Sequence, residues 1–297
     1  MHGLGRSGDS VLIQNNTVIK TCNTNQDRFQ RSFNKQQAFA SPFIQAVPIS
    51  HAQQTNDQWR ITMPYYHCDN SMVWISKAGA DQIDELTNTI INYFNSLIGS
   101  SVQHPFDYDI WHSKLHELRS KLDEDLLSVI DWLWGLEFDH PLYYGTIHGD
   151  LTLTNLLISE DNGLEINAID FLDVFIESVI LDICKWRQDT AHFWTLTIVE
   201  NKSDIDMNRV KLMLTHIDNK IESFINNNDI LREYYLPFQI LNLLRILPYN
   251  KDDRKVQDYL KAEVIRLYDG RTNPNHSRSR KIDTLQRIEA EVSPNIT

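Results

Sequence analysis

The chain is short of three things: cysteine, positive charge and uninterrupted apolar sequence. Cys22, Cys68 and Cys184 are the only cysteines in 297 residues. They are odd in number, far apart and without a Cys-x-x-Cys spacing, which excludes a disulfide framework or a zinc ribbon and implies a reducing compartment. Lys and Arg number 28 against 40 Asp and Glu, a formal charge of -12. That leaves too few cations for broad attraction to nucleic acid or to an anionic membrane. The richest apolar runs are broken by Asp131 and by Glu177 and Asp182, well short of the ~18 apolar residues a membrane helix needs. Met1 is not followed by a basic segment and an apolar run, as a secretory leader would require. The expectation is a cytoplasmic protein with neither nucleic acid nor membrane as a partner, and no internal repeat is visible. Oligomeric state is unknown from sequence.

What is present is ordinary globular material. With 41% hydrophobic and 23% charged residues, the chain supports two modest cores, and two lobes are expected. Residues 10–14 and 17–22 alternate as short strands around Asn15-Asn16, a pair that readily takes the positive φ of a tight hairpin turn. Phe29 and Phe33, four apart within 27–40, predict a helix that Pro42 ends. Residues 59–63 predict another strand. From 67 the pattern becomes helical, with apolar spacings of three and four over 81–98, 111–122 and 126–136. Asp161-Asn162-Gly163 between apolar runs at 156–159 and 164–169 predicts a second hairpin. Further helices are expected over 207–225, over 230–247 with a kink or break at Pro237, and over 255–268 with Gly270 as terminator. This divides the chain into a small β-rich lobe with one helix over 1–66, a larger, mostly helical lobe over 67–270, and a polar tail over 271–297.

The chemistry is concentrated in Ile147-His148-Gly149-Asp150-Leu151-Thr152-Leu153-Thr154-Asn155 and in Ile169-Asp170-Phe171. Phosphoryl transfer needs a carboxylate to orient the acceptor hydroxyl and hard oxygen ligands for the magnesium that bridges phosphate oxygens. Magnesium takes only one or two carboxylates or amides from a protein, which Asn155 and Asp170 could supply, leaving Asp150 for the acceptor. Taken singly, these residues are also ordinary loop and cap residues, since Asp and Asn routinely serve there. Their joint order, with the hairpin between and Lys20 on an upstream strand, points instead to a kinase. His112 and His116, four apart on a predicted helix, lack the neighbouring Glu of a zinc protease and read as surface or hydrogen-bonded residues. The tryptophans at helical spacing read as core.

At His-Gly-Asp, Asn five positions after the Asp, and Ile-Asp-Phe, the chain resembles the aminoglycoside phosphotransferase and choline kinase-like family. Gly149, where protein kinases usually carry Arg, favours this branch, and the resemblance runs from about Gly8 to Trp186. It implies an α+β, bilobal, protein-kinase-like fold and an enzyme that uses ATP (or GTP) and Mg2+ to phosphorylate a small-molecule hydroxyl on a sugar, amino sugar or amino alcohol. Asp150 would be the catalytic base or hydroxyl-orienting residue, and Asn155 and Asp170 the magnesium ligands. Lys20 is similar to the strand lysine on the α- and β-phosphates, and Met63, Tyr65 and Tyr66 resemble the hinge that reads the adenine edge. Asp182 resembles the buried Asp that braces the catalytic loop, and His148 reads as a structural brace.

The chain departs from the family pattern at three places. Gln36 or Gln37 stands where a helix Glu would pair with Lys20, and an amide forms no ion pair. Gly3-x-Gly5-x-x-Gly8 resembles a phosphate-covering loop, with no room expected before it for an anchoring strand. Leu172, not Gly, follows Phe171, and the short stretch before Asp182 leaves no space for a long activation segment, which favours a small-molecule acceptor over a protein. Asp173 reads as a solvated turn carboxylate. Two alternatives stand: a catalytically silent nucleotide-binding module, and a protein-directed kinase or nucleotidyltransferase on the same scaffold.

Overall fold

The computed structural model describes residues 9–55, 58–68, 71–160, 163–198 and 206–271, with the backbone of 2–4. In chain order, β1 (His2–Leu4), β2 (Ser10–Gln14) and β3 (Thr17–Thr21) precede α1 (Gln26–Ala38). Next come β4 (Gln45–Ala46), β5 (His51–Gln54), β6 (Trp59–Pro64), α2 (Ser71–Lys77) and α3 (Ala80–Ser100). They are followed by β7 (Val102–His104), α4 (Tyr108–Arg119), α5 (Leu127–Trp134) and β8 (Leu142–Tyr144). Then come β9 (Leu156–Ser159), β10 (Glu165–Ala168), α6 (Val179–Thr190) and α7 (Trp194–Ile198). The last elements are α8 (Met207–Asn226), α9 (Asp229–Ile246) and α10 (Arg254–Gly270). The chain forms two compact units, one up to Pro105 together with Pro141–Asp229, the other Phe106–His140 together with the chain from Ile230. The lobe boundary expected at 66 falls inside the first unit.

The first unit opens with a five-stranded antiparallel sheet in the order β1-β2-β3-β6-β5. Asn15 and Asn16 take φ of 50° and 56°, the paired left-handed residues of a two-residue hairpin turn, and lock the register Gln14↔Thr17 and Val11↔Lys20. Strand β1 pairs Gly3 with Val11, so a strand lies within the glycine-bearing segment, before which no room for one was expected. Gly5 and Gly8 lie outside the described residues. The side chain of Asn25 accepts from Arg28 N at 3.0 Å and caps α1. That helix turns Phe29 and Phe33 into a core with Cys22, Val47, Ile61 and Met63.

Short strand β4 runs parallel to β10, which pairs antiparallel with β9 through Ile166↔Ile158 and Ala168↔Leu156. Asp161 and Asn162 of the expected turn lie outside the described residues, and Gly163 beside them has φ of 106°. Helix α6 is buried along nearly its whole length. The buried Arg187 guanidinium forks onto Asp218 of α8 at 2.8 Å to each carboxylate oxygen, and Thr190 adds a third donor at 3.0 Å.

In the second unit, Trp111 of α4 packs on Phe238 of α9 with ring centroids 5.0 Å apart, and its indole N–H donates to Leu133 O at 3.0 Å. Phe106, Phe138 and Tyr234 extend this aromatic core. Helix α9 keeps Pro237 inside it, with buried neighbours on both sides, so the chain does not break there. The expected tail beyond Arg271 lies outside the described residues.

Candidate active site

The loop between β8 and β9 has no regular hydrogen-bonding of its own until a single 3-10 turn at Leu153–Asn155, so its shape depends on what surrounds it. Helix α6 supplies that support from one face. Asp182, fully buried in its first turn, accepts from His148 N at 2.8 Å, Gly149 N at 2.7 Å and the Tyr93 hydroxyl at 2.8 Å. Three residues on, the Lys185 ammonium lies 3.0 Å from Asp150 Oδ1. One turn further, buried Asp189 accepts from Leu153 N at 2.7 Å, and from Thr195 N and Oγ at 2.9 and 2.7 Å. Positions 182, 185 and 189 share a helical face, and so grip the loop at its beginning, middle and end.

His148 is buried with its Nε2 donating to Ile169 O at 2.8 Å, which leaves Nδ1 to accept from Asp150 N at 3.1 Å. Burial pulls the imidazole below its ordinary value, against the opposing pull of Asp182, so the ring is neutral and both nitrogens are spent on backbone groups. Gly149 turns the chain at φ of 87°. Asp150 then presents a carboxylate whose Oδ2 accepts from the Asn155 amide at 3.0 Å. Burial would raise this carboxyl; the Lys185 ammonium, with the Asn155 hydrogen bond, outweighs it and holds the group below the usual carboxylate range. It is ionised at neutral pH.

Asn155 also donates to Asp150 O at 2.8 Å. With its amide nitrogen committed to Asp150, its amide oxygen is the atom left for a ligand. The Asn155 carbonyl accepts from Ile169 N at 3.0 Å, and His148 O accepts from Leu172 N at 3.0 Å. These two backbone bonds stitch Ile169–Leu172 to the 147–155 loop and set Asp170 beside it. Asp170 adopts φ of 60°, a left-handed conformation that Asp tolerates better than most residues. Its Oδ1 accepts from Lys20 Nζ at 3.0 Å, with the Asp170 side chain 44% exposed. Asp150, Asn155, Asp170 and Lys20 thus form one connected set from three distant parts of the chain.

Helix α1 meets Lys20 through the Phe29 ring, whose centroid lies 6.0 Å from Nζ, and not through its glutamines. Gln36 is buried and donates to Val47 O at 2.7 Å and to Met63 Sδ at 3.4 Å, and Gln37 is exposed. The helix instead sends cations toward the segment after Asp170. Lys35 donates to Leu172 O and to Glu177 Oε1, both at 2.8 Å, and Arg31 Nε meets Asp173 Oδ2 at 2.9 Å. Asp173 is therefore ion-paired on the protein. Of the three residues expected at the hinge, Met63 is buried, Tyr66 packs against the core under the sheet, and the Tyr65 N–H donates to Asn16 O at 2.9 Å.

No family model matches the chain, and no curated protein matches it by sequence. Solved structures do. A choline/ethanolamine kinase family protein from Mesorhizobium loti is similar with a TM-score of 0.57 at 10% identity, covering 92% of this chain and 90% of the other. A thermostable mutant of aminoglycoside phosphotransferase APH(4)-Ia, in ternary complex with AMP-PNP and hygromycin B, gives 0.55 at 12% identity, covering 90% and 93%. The GDP complex of aminoglycoside 2'-phosphotransferase-IIIa gives 0.52 at 12%, covering 92% and 90%. The fold is that of the aminoglycoside phosphotransferases and choline kinases. At these identities the likeness is one of fold, α+β and kinase-like as the sequence implied.

Within this phosphotransferase fold, sequence inspection overlooked Lys185, Lys35 and Asp189. The signal for the first and last was present, because both sit on the helical face of Asp182. No such periodicity marked Lys35, whose partners lie 137 and 142 positions away. Among the described residues no three His, Cys, Asp or Glu side chains cluster as a metal site. An amide oxygen and a carboxylate, Asn155 and Asp170, are nonetheless the sparse, hard donor set that suits magnesium.

Proposed function

We propose that the protein transfers the terminal phosphoryl group of ATP or GTP to a hydroxyl of a small polar metabolite: a sugar, an amino sugar or an amino alcohol. The observation that carries this is the connected set of Asp150, Asn155, Asp170 and Lys20, built on a loop that one face of α6 holds. An ionised Asp150 accepts a hydrogen bond from the acceptor hydroxyl and turns its oxygen toward the phosphorus, so orientation is supplied before reaction. Asn155 and Asp170 would hold magnesium, which when bound neutralises phosphate charge. Lys20 leaves Asp170 for the phosphates and offsets the charge that grows on the leaving group. Backbone groups of 63–66 other than the Tyr65 N–H, which already serves the hairpin turn, would read the purine edge.

The test is turnover of ATP and GTP with magnesium against a panel of neutral and amino-substituted hydroxyl compounds, with the product identified by mass. Asp150→Asn should lower kcat by about 10²- to 10⁴-fold while nucleotide binding persists. Asp170→Ala should abolish turnover and metal-dependent binding together; near wild-type activity in that variant would overturn the mechanism. A second possibility, a nucleotide-binding module without transfer, draws on Gln36 facing away from Lys20. It predicts metal-dependent nucleotide binding without phosphorylated product from any acceptor.

A further inference from the structure

Every carboxylate along the loop and the segment after it carries a cation from the protein itself. Asp170 has Lys20 at 3.0 Å, Asp173 has Arg31 at 2.9 Å, Glu177 has Lys35 at 2.8 Å, and Asp150 has Lys185 at 3.0 Å. The first of these partners is free to move to phosphate when nucleotide enters. Lys185 is differently placed: it projects from a buried helix, its side chain is only 13% exposed, and its ammonium sits on the carboxylate that faces the acceptor. The loop from Ile147 to Asn155 contains no Lys or Arg of its own.

We infer that Lys185 is a positioning residue for Asp150, and that its charge makes the acceptor side of the site select an uncharged hydroxyl compound over a cationic one. The inference rests on the phosphotransfer function proposed above. The geometry gives both halves. Asn155 holds one carboxylate oxygen and Lys185 the other, so the plane of Asp150 is fixed from both ends and its remaining lone pairs point where the loop leaves room. An acceptor carrying an ammonium beside its reactive hydroxyl would meet an Asp150 already neutralised and a like charge next to it, an arrangement that penalises the wrong ligand. A neutral sugar or polyol meets no such penalty.

The experiment uses the full chain and neutral hexoses and polyols, each matched to its amino-substituted counterpart. Wild type should favour the neutral member of a pair in kcat/KM. Lys185→Met should lower kcat on the neutral acceptor by about 10²-fold, with KM for the nucleotide held within about threefold. It should also shift the neutral-to-cationic ratio by about tenfold toward the cation. Lys185→Arg, which keeps the charge, should recover most of the ratio. A role confined to folding would lower the unfolding midpoint and leave the ratio alone. Urea unfolding of Lys185→Met, Asp150→Asn and the double variant should show non-additive midpoints, and additivity would overturn the pairing. Wild-type preference for cationic acceptors, or a ratio unchanged by Lys185→Met, overturns this inference alone. Absence of product from every acceptor overturns it together with the phosphotransfer proposal.

Discussion

Gly149 shows how little freedom the loop has at its turn. Its φ of 87° is open to glycine, and a Cβ there would lie 2.4 Å from Leu172 O, 3.0 Å from Val174 Cγ1 and 3.2 Å from Lys35 Nζ. The carbonyl cannot retreat, because Leu172 N is itself bonded to His148 O and Lys35 holds the oxygen. Gly149→Ala therefore combines a left-handed strain of about 1–3 kcal/mol with a backbone clash. We expect urea unfolding to show a loss of at least that size, together with reduced turnover as Asp150 is displaced. His148, Gly149 and Asp150 were all legible as a motif. What the motif could not convey is that the histidine spends both nitrogens on Ile169 and Asp150 backbone groups, since those partners are set by how the segment after β10 returns.

Helix α1 and helix α6 divide the work of shaping the site. α6 holds the 147–155 loop from one face, through Asp182, Lys185 and Asp189. α1 holds the following segment through Arg31, Ser32 and Lys35, while its buried Gln36 braces Val47 and Met63 under the sheet. A Glu at 36 would lose the amide donor to Val47 O and set a carboxylate against a carbonyl oxygen in a buried position. Gln36→Glu is therefore expected to destabilise the protein by about 1–3 kcal/mol in chemical denaturation. It should not tighten nucleotide binding, because position 36 does not face Lys20. Capping and periodicity made α1 readable, with Asn25 at its start and Phe29 and Phe33 on its inner face. Which polar side chain met which partner was not readable: the contacts of Arg31, Ser32 and Lys35 join residues more than a hundred positions apart, and those of Gln36 depend on how the strands pack on the helix.

At the scale of the molecule, the Lys20–Asp170 pair ties a strand of the five-stranded sheet to the end of a hairpin 150 positions away. Under the proposed function, nucleotide and magnesium would compete for the same two side chains, and their binding would replace this contact. Saturating nucleotide with magnesium is expected to raise the thermal midpoint, by the equivalent of about 2.7 kcal/mol at a hundredfold excess over Kd. Chelation of the metal should remove most of that gain, and Asp170→Ala should respond alike with and without metal. Calorimetric or fluorescence melts measure both. Equal shifts in wild type with and without the metal would separate Asp170 from metal binding.

The sequence by itself determined the local elements and the residues on which the proposed chemistry rests. Period-2 and period-3.6 patterns, the Asn15-Asn16 turn and the order Lys20, Asp150, Asn155, Asp170 are short-range properties, written in neighbouring residues and their spacing. Several strands escaped it, β4, β5 and β7 among them, because two to four residues carry too little pattern to stand out. The tertiary structure alone decided how the charges are shared. It gave Lys185 to Asp150, Lys35 to Glu177 and Lys20 to Asp170, and turned Gln36 into the core. The physical reason is that an ion pair depends on separation in space, and the folded backbone, not the spacing along the chain, sets those few ångströms.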